Sequence, residues 1–141
     1  MPDGSGTAAR PWRQLQVRTS TLTFSATDTA PADARRFVAE TARGWGFGDL
    51  AGRAQLLVSE VVTNVVQHAG TAGQVTIAAR PAGIRVEVED TAPEVPQPQE
   101  PDPNRPEGRG LAILTAFARR WGVEEGVGAK VVWFELDDDP R

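Results

Sequence analysis

Glu60, Asn64 and His68 stand four residues apart in LLVSEVVTNVVQHAG, residues 56–70. On a helix that spacing brings a carboxylate, an amide and an imidazole to one side. A carboxylate there could orient or deprotonate a nucleophile, and an amide oxygen could ligate a hard cation. At about 100° per residue, Thr63 and Gln67 join the same narrow arc. Val58, Val61, Val62, Val65 and Val66 fill the opposite side. Valine is a poor helix former, so burial of the valine side would have to hold such a helix. The arc would then face water or a ligand. Solvated faces usually carry Lys, Glu and Arg pairs, whereas this arc holds one carboxylate, two amides, one hydroxyl and the chain's single histidine. Both readings stay open on this helix alone. His68 equally suits a helix C-terminal residue satisfied by the dipole.

Two further features carry chemistry. Asp90 closes an alternating segment, where a carboxylate can serve a ligand or simply form a turn. Gly108-Arg-Gly-Leu111 opens a predicted helix. Glycines there let backbone N–H groups approach an anion, and the helix dipole favours phosphate. Between them, residues 91–108 hold six prolines. Such a segment is neither a regular helix nor a central strand. It reads as a long loop of the kind that serves as a lid or is disordered.

The elements that must position these residues follow from the hydrophobic periods. Residues 14–26 alternate in part and suggest a strand. Asp28 or Thr29 can cap a helix with Pro31 in its first turn, running to about Gly44 and burying Ala34, Phe37, Val38 and Thr41. The helix of the polar arc runs from near Asp49 to about Ala69, with Gly70 as its stop. Residues 74–80 and 84–89 read as a hairpin across Pro81-Ala82-Gly83, with Ile84, Val86 and Val88 on one face and Arg85, Glu87 and Glu89 on the other. Residues 110–120 read as a helix, with Leu111, Leu114, Ala118 and Trp121 on one stripe, and residues 122–125 and 130–136 as two last strands. Paired strands without crossover helices imply an α+β two-layer sandwich with three helices on one face of a mixed, mostly antiparallel sheet.

A chain of 141 residues, 40% apolar and 24% charged, suits one domain with one core. Residues 1–12 read as a disordered tail, 13–137 as the single domain and 138–141 as a solvated tail. Without cysteine there are no disulfides, thiolate metal sites or cysteine nucleophiles. That is compatible with a cytoplasmic protein. A net charge of −4 without a basic run argues against nucleic acid or an anionic membrane as partner.

Taken together, Glu60-x-x-x-Asn64 on a helix, Asp90 after a strand, and Gly108-x-Gly110-Leu111 at a helix start resemble the nucleotide-binding boxes of the GHKL (HATPase_c) ATPase superfamily, which includes gyrase, Hsp90, histidine kinases and MutL. SEVVTNVVQHAG and the closing strand around Gly128-Ala-Lys130-Val-Val-Trp133 are similar to the small anti-sigma-factor serine/threonine kinase branch. The resemblance covers residues 21–136. It implies a Bergerat fold, with ATP held between the helices and a lid. It implies that Asn64 ligates Mg²⁺, that Glu60 is the catalytic base, and that Asp90 accepts a hydrogen bond from the adenine amino group beside the small Ala92. It further implies that the Gly108, Arg109, Gly110 and Leu111 amides hold phosphate, that Arg105 and Arg109 meet its charge, and that His68 and Ala69 line the pocket. The partners it implies are a STAS-domain anti-sigma antagonist and a sigma factor. A homodimer is a further expectation, for which an exposed apolar surface on the first strand and helix would serve. The adenine-side box departs from the family pattern: it reads Asp90-Thr-Ala92-Pro93-Glu94, without the usual two glycines. Val131 stands where the family often has a threonine that supports the aspartate. These departures keep a second reading open, a partner-binding module with or without nucleotide that performs no phosphoryl transfer.

Overall fold

The computed structural model describes residues 18–90, 106–126 and 129–138, except for the side chains of residues 68, 69, 106–111 and 126. In chain order the elements are β1 (Thr19–Phe24), α1 (Ala30–Gly44), α2 (Ala51–Asn64), β2 (Gly73–Arg80), β3 (Gly83–Asp90), α3 (Pro106–Phe117), β4 (Arg120–Gly126) and β5 (Ala129–Asp137). The five strands form one sheet in the order β1-β2-β3-β5-β4. Each of these pairings is antiparallel, in keeping with the mostly antiparallel sheet that the sequence predicts. Among the described residues no helix is long and apolar enough to cross a membrane.

Local chemistry sets the elements. Proline stands in the first turn of α1, where its missing N–H costs nothing. Thr29 occupies the cap position but makes no capping hydrogen bond. A short 3₁₀ turn, Gly48–Leu50, leads into α2 and buries Leu50. The β2–β3 hairpin turns at Pro81-Ala82, and its register runs from Arg80↔Gly83 to Gly73↔Asp90. α3 begins at Pro106, four residues before the predicted start, and ends at Phe117; Arg120 already belongs to β4. Trp121, predicted on the helical stripe, lies on β4 opposite Phe134.

The core lies between the helices and one sheet face. α1 contributes Ala34 and Val38, α2 contributes Leu57, Val58, Val61 and Val62, and the sheet contributes Val75, Ile77, Ile84, Val86, Phe134 and Leu136. The valine side predicted for α2 is thus the buried side. Phe37 packs against this core from a partly buried position. Thr41 is also half-buried, and its hydroxyl donates to the Phe37 carbonyl at 2.8 Å. The outward residues of β1, Thr19, Thr21 and Thr23, are exposed threonines. The exposed large apolar side chains among the described residues are Leu56, Phe117 and Val123, so the described part of the first strand and helix carries no such patch.

The polar side of β3 departs most from its sequence pattern. Arg85 and Glu87 alternate as a solvated face would, yet they are 7% and 3% exposed. Arg85 donates to Glu87 Oε2 at 3.1 Å and to Glu135 Oε2 at 2.8 Å. Its guanidinium lies 4.1 Å from the centroid of the Trp133 ring, a cation–π stack. Trp133 faces Gly122 across β4, where a Cβ would come within 2.8 Å of the ring. Arg120 donates to Glu135 Oε1 at 3.0 Å, and Arg80 donates to Asp137 Oδ1 at 2.6 Å. Charges and aromatic surface thus meet on the sheet face opposite the helices.

Burial alone would push the Glu135 carboxyl up. The hydrogen bonds from Arg120 and Arg85 and the charges of Arg80 and Arg85 outweigh it and hold the group below its ordinary 4.5. Asp137 is held below its ordinary 3.8 in the same way: burial raises it, and Arg80, Arg119 and Arg120 lower it further. Carboxylates lowered on folding add stability above their unfolded values and lose it as pH falls through the folded ones. Urea midpoints should therefore hold down to about pH 5 and then fall. Glu135→Gln should lower the midpoint at pH 7, because the buried Arg85 loses one of its two carboxylate partners, and should flatten the acid slope.

Candidate functional site

Glu60 and Asn64 sit one turn apart at the C-terminal end of α2, both half-buried. The valine side fixes their direction, since the face opposite Val58 and Val62 must point away from the sheet. Asn64 Oδ1 is buried and has no hydrogen-bond partner among the described residues. An unsatisfied buried acceptor costs about 1–3 kcal/mol, and a fold tolerates that most readily where a ligand will satisfy the atom. A nearby hydroxyl is already used: Ser59 accepts a hydrogen bond from Arg35 at 2.8 Å.

An amide oxygen is a hard donor and suits Mg²⁺. The described residues contain no group of three or more His, Asp or Glu able to hold a metal by themselves. A Mg²⁺ ligated by Asn64 would therefore take most of its ligands from phosphate and water, its usual manner in nucleotide sites. The residues fit the ion in that sense.

Beyond Asn64 the helix changes. Residues Val65–Ala69 form a π-turn, where the sequence predicts a continuous α-helix. The Gly70 N–H donates to the Val65 carbonyl at 3.0 Å, which closes the wider turn. Gly70 then adopts φ 62°, ψ 28°, a left-handed conformation that glycine accepts without strain. The π-turn advances by less than 100° per residue, so the wheel that aligned His68 with Glu60 does not extend past Asn64. His68 and Ala69 lie in the π-turn, and their side chains lie outside the described residues.

After Gly70 the chain reaches Asp90. The Thr71 hydroxyl donates to Asp90 Oδ1 at 2.7 Å, with both residues half-buried. Asp90 ends β3, paired with Gly73 on one side and Lys130 on the other. That register corrects the reading of Val131. Directly paired residues share a sheet face, and Val131 pairs with Glu89, so its side chain points to the face opposite Asp90. The residue across from Asp90 is the exposed Lys130. Thr71 is the contact that sequence reasoning missed, and the turn at Pro81-Ala82 was its signal. Counting back from that turn sets Gly73 against Asp90 and brings residue 71 alongside the strand end.

Gly108 and Arg109 fall within the first turn of α3, with Gly110 and Leu111 just beyond it; their side chains, and all of Ala92 and Arg105, lie outside the described residues. The first turn of a helix leaves its N–H groups without intrahelical partners. α3 packs beside α2, so its start belongs to the same layer as Glu60 and Asn64. A separate groove of about 270 Å³ between α1 and α2 is lined by Arg35, Arg36, Arg43, Glu40 and Gln55, and by none of the predicted site residues.

A family model described as "Histidine kinase-like ATPase domain" matches residues 24–136. The chain belongs to this family. The GHKL resemblance carried by Glu60, Asn64, Asp90 and the Gly108 box is thereby borne out, and ATP binding is the property the family implies. This histidine kinase-like ATPase domain is 39% identical over 89 residues to the uncharacterized protein SCO4941 of Streptomyces coelicolor, a stretch of 59% of this chain and 84% of that one. Its fold is that of the structure containing the RsbU and RsbW domains of Rv1364c from Mycobacterium tuberculosis, with a TM-score of 0.62 and 21% identity over 85% of this chain. The match spans 32% of that longer chain.

If Asn64 Oδ1 is kept for a ligand, the fold gains nothing from it. Asn64→Ala should melt within a few degrees of the wild type, or above it, when ligand is absent. A large drop in melting temperature would mean that the amide has a structural partner.

Proposed function

We propose that this domain is a cytoplasmic Mg-ATP-dependent protein serine/threonine kinase of the anti-sigma-factor type. Its acceptor would be a serine or threonine on a STAS-domain antagonist, and a sigma factor would be the second protein it holds, with a homodimer as its working form. The observation that carries this reading is the buried, unpartnered Asn64 Oδ1 one turn from Glu60. A nucleotide module that only held its ligand would have little use for a carboxylate beside the cation-binding amide.

Bound Mg²⁺ would neutralise phosphate charge at Asn64. Glu60 takes the proton of the acceptor hydroxyl while its oxygen bonds to the γ-phosphorus. The bond to the β,γ-bridging oxygen breaks, and ADP leaves. Positioning supplies most of the rate in such a transfer. Asp90 receives the adenine amino group, with Ala92 beside it. The first amides of α3, at Gly108 and Arg109 with Gly110 and Leu111 following, face the phosphates. Arg105 and Arg109 add positive charge, and His68 and Ala69 border the nucleotide.

The second reading, stoichiometric binding without transfer, draws on the box Asp90-Thr-Ala92-Pro93-Glu94, which lacks the family's two glycines. Glu60→Gln separates the two. With γ-labelled ATP and a panel of STAS-domain proteins, the wild type should label a serine or threonine. The variant should lose that transfer by about 10²–10⁴-fold while keeping its Mg-ATP affinity. Wild-type protein that binds partner and nucleotide but never labels an acceptor would favour the binding module.

A further inference from the structure

We infer that the surface beside Glu60 docks an acidic segment of a partner protein, with Leu56 as its apolar foothold and three arginines of α1 as its charge contacts. The inference rests on the proposed role of Glu60 and adds to it the chemistry that brings an acceptor there.

Helix geometry makes the surface continuous. Leu56 precedes Glu60 by four residues, so the two are neighbours on one side of α2. Leu56 is 39% exposed, whereas Leu57, Val58, Val61 and Val62 of the same helix are buried. A single exposed leucine means little by itself. This one borders charge. Ser59, three residues after Leu56, accepts a hydrogen bond from Arg35 of α1 at 2.8 Å. Gln55, the residue before Leu56, lines the groove of about 270 Å³ between α1 and α2, together with Arg35, Arg36, Arg43 and Glu40.

The charge of this groove runs against the charge of the chain. Three arginines stand with one glutamate in the groove, whereas the whole chain carries −4. Arg36 also pairs with Asp33 at 2.8 Å, but both side chains are well exposed, and such pairs hold weakly. A guanidinium carries five N–H donors, so Arg35 and Arg36 keep donors for a carboxylate beyond these contacts. Glu60 has the opposite sign and repels acids. A docked segment therefore sets its acids over α1, an apolar side chain on Leu56 and its hydroxyl at Glu60. A basic segment meets repulsion in the groove, and a nucleic acid has no use for Leu56.

The test uses the panel of STAS-domain proteins as probe. Partner affinity would be measured by calorimetry at low and high salt, and transfer from γ-labelled ATP as separate KM and kcat. Members with acidic residues flanking a serine or threonine should bind, and salt should weaken them. Leu56→Gln should raise the partner Kd and KM roughly tenfold, with kcat, Mg-ATP affinity and melting temperature unchanged. Leu56→Met should restore binding. Arg36→Gln with Arg43→Gln should weaken binding and reduce its salt dependence. Full partner affinity in Leu56→Gln and in the arginine double variant overturns the inference, even where the wild type labels an acceptor and the kinase reading stands. Binding without labelling contradicts the kinase reading, while the same variants still decide the docking surface by affinity. A leucine variant that loses Mg-ATP affinity alike shows a structural role and overturns the inference. So does one that only dissociates a homodimer in sedimentation, since the face would then belong to a second copy. Wild type that binds no panel member overturns both.

Discussion

Helix α2 exists because its valines are buried. Val58 and Val62 are wholly removed from solvent, and Val61 nearly so, against the inner face of β2, β3 and β5. Each buried valine contributes about 1.5–3 kcal/mol of transfer free energy, far more than its helix propensity loses. This one contact fixes the rotation of α2. Once the valines face the sheet, Glu60 and Asn64 must point the other way. The direction of the chemical groups is a by-product of packing.

The site then collects the costs that the core can sustain. An acceptor without a partner sits at Asn64, the helix ladder widens into a π-turn, and Gly70 adopts a left-handed conformation. π-turns inside helices concentrate at functional sites. Here the turn ends the straight helix just after Asn64, and the chain then returns to Asp90. On the opposite sheet face the account is closed: Arg85, Glu87, Glu135 and Trp133 satisfy one another. One face of the sheet is chemically complete, and the rim of the other retains an unsatisfied group.

Much of this was legible in the sequence, for identifiable reasons. The β2–β3 hairpin followed from strict alternation around Pro81-Ala82-Gly83, and α1 from Pro31 and the spacing of Ala34 and Val38. Glu60, Asn64 and Asp90 were visible because they break apolar patterns with groups that ligands use. What stayed hidden depended on distant partners or on geometry without a residue signature. Arg85 and Glu87 look solvated until Glu135, some fifty positions later, arrives on the adjacent strand. The π-turn has no sequence mark, because valine and glutamine serve both helix types. The place of Val131 required the register of β5, which a shift of one residue inverts. Thr71 looked like loop chemistry until Gly70 turned it onto Asp90. Ala92, Arg105 and the side chains of the Gly108 box were read from the family pattern and lie outside the described residues.

The central claim is that the buried Asn64 oxygen is held for a nucleotide-borne cation. Calorimetric titration with ATP, with and without Mg²⁺, on the wild type and Asn64→Ala tests it most directly. The account predicts that Mg²⁺ strengthens ATP binding to the wild type and that the variant, still folded, loses this dependence. Equal Mg²⁺ dependence in the two proteins, or no ATP binding at millimolar nucleotide, would contradict it.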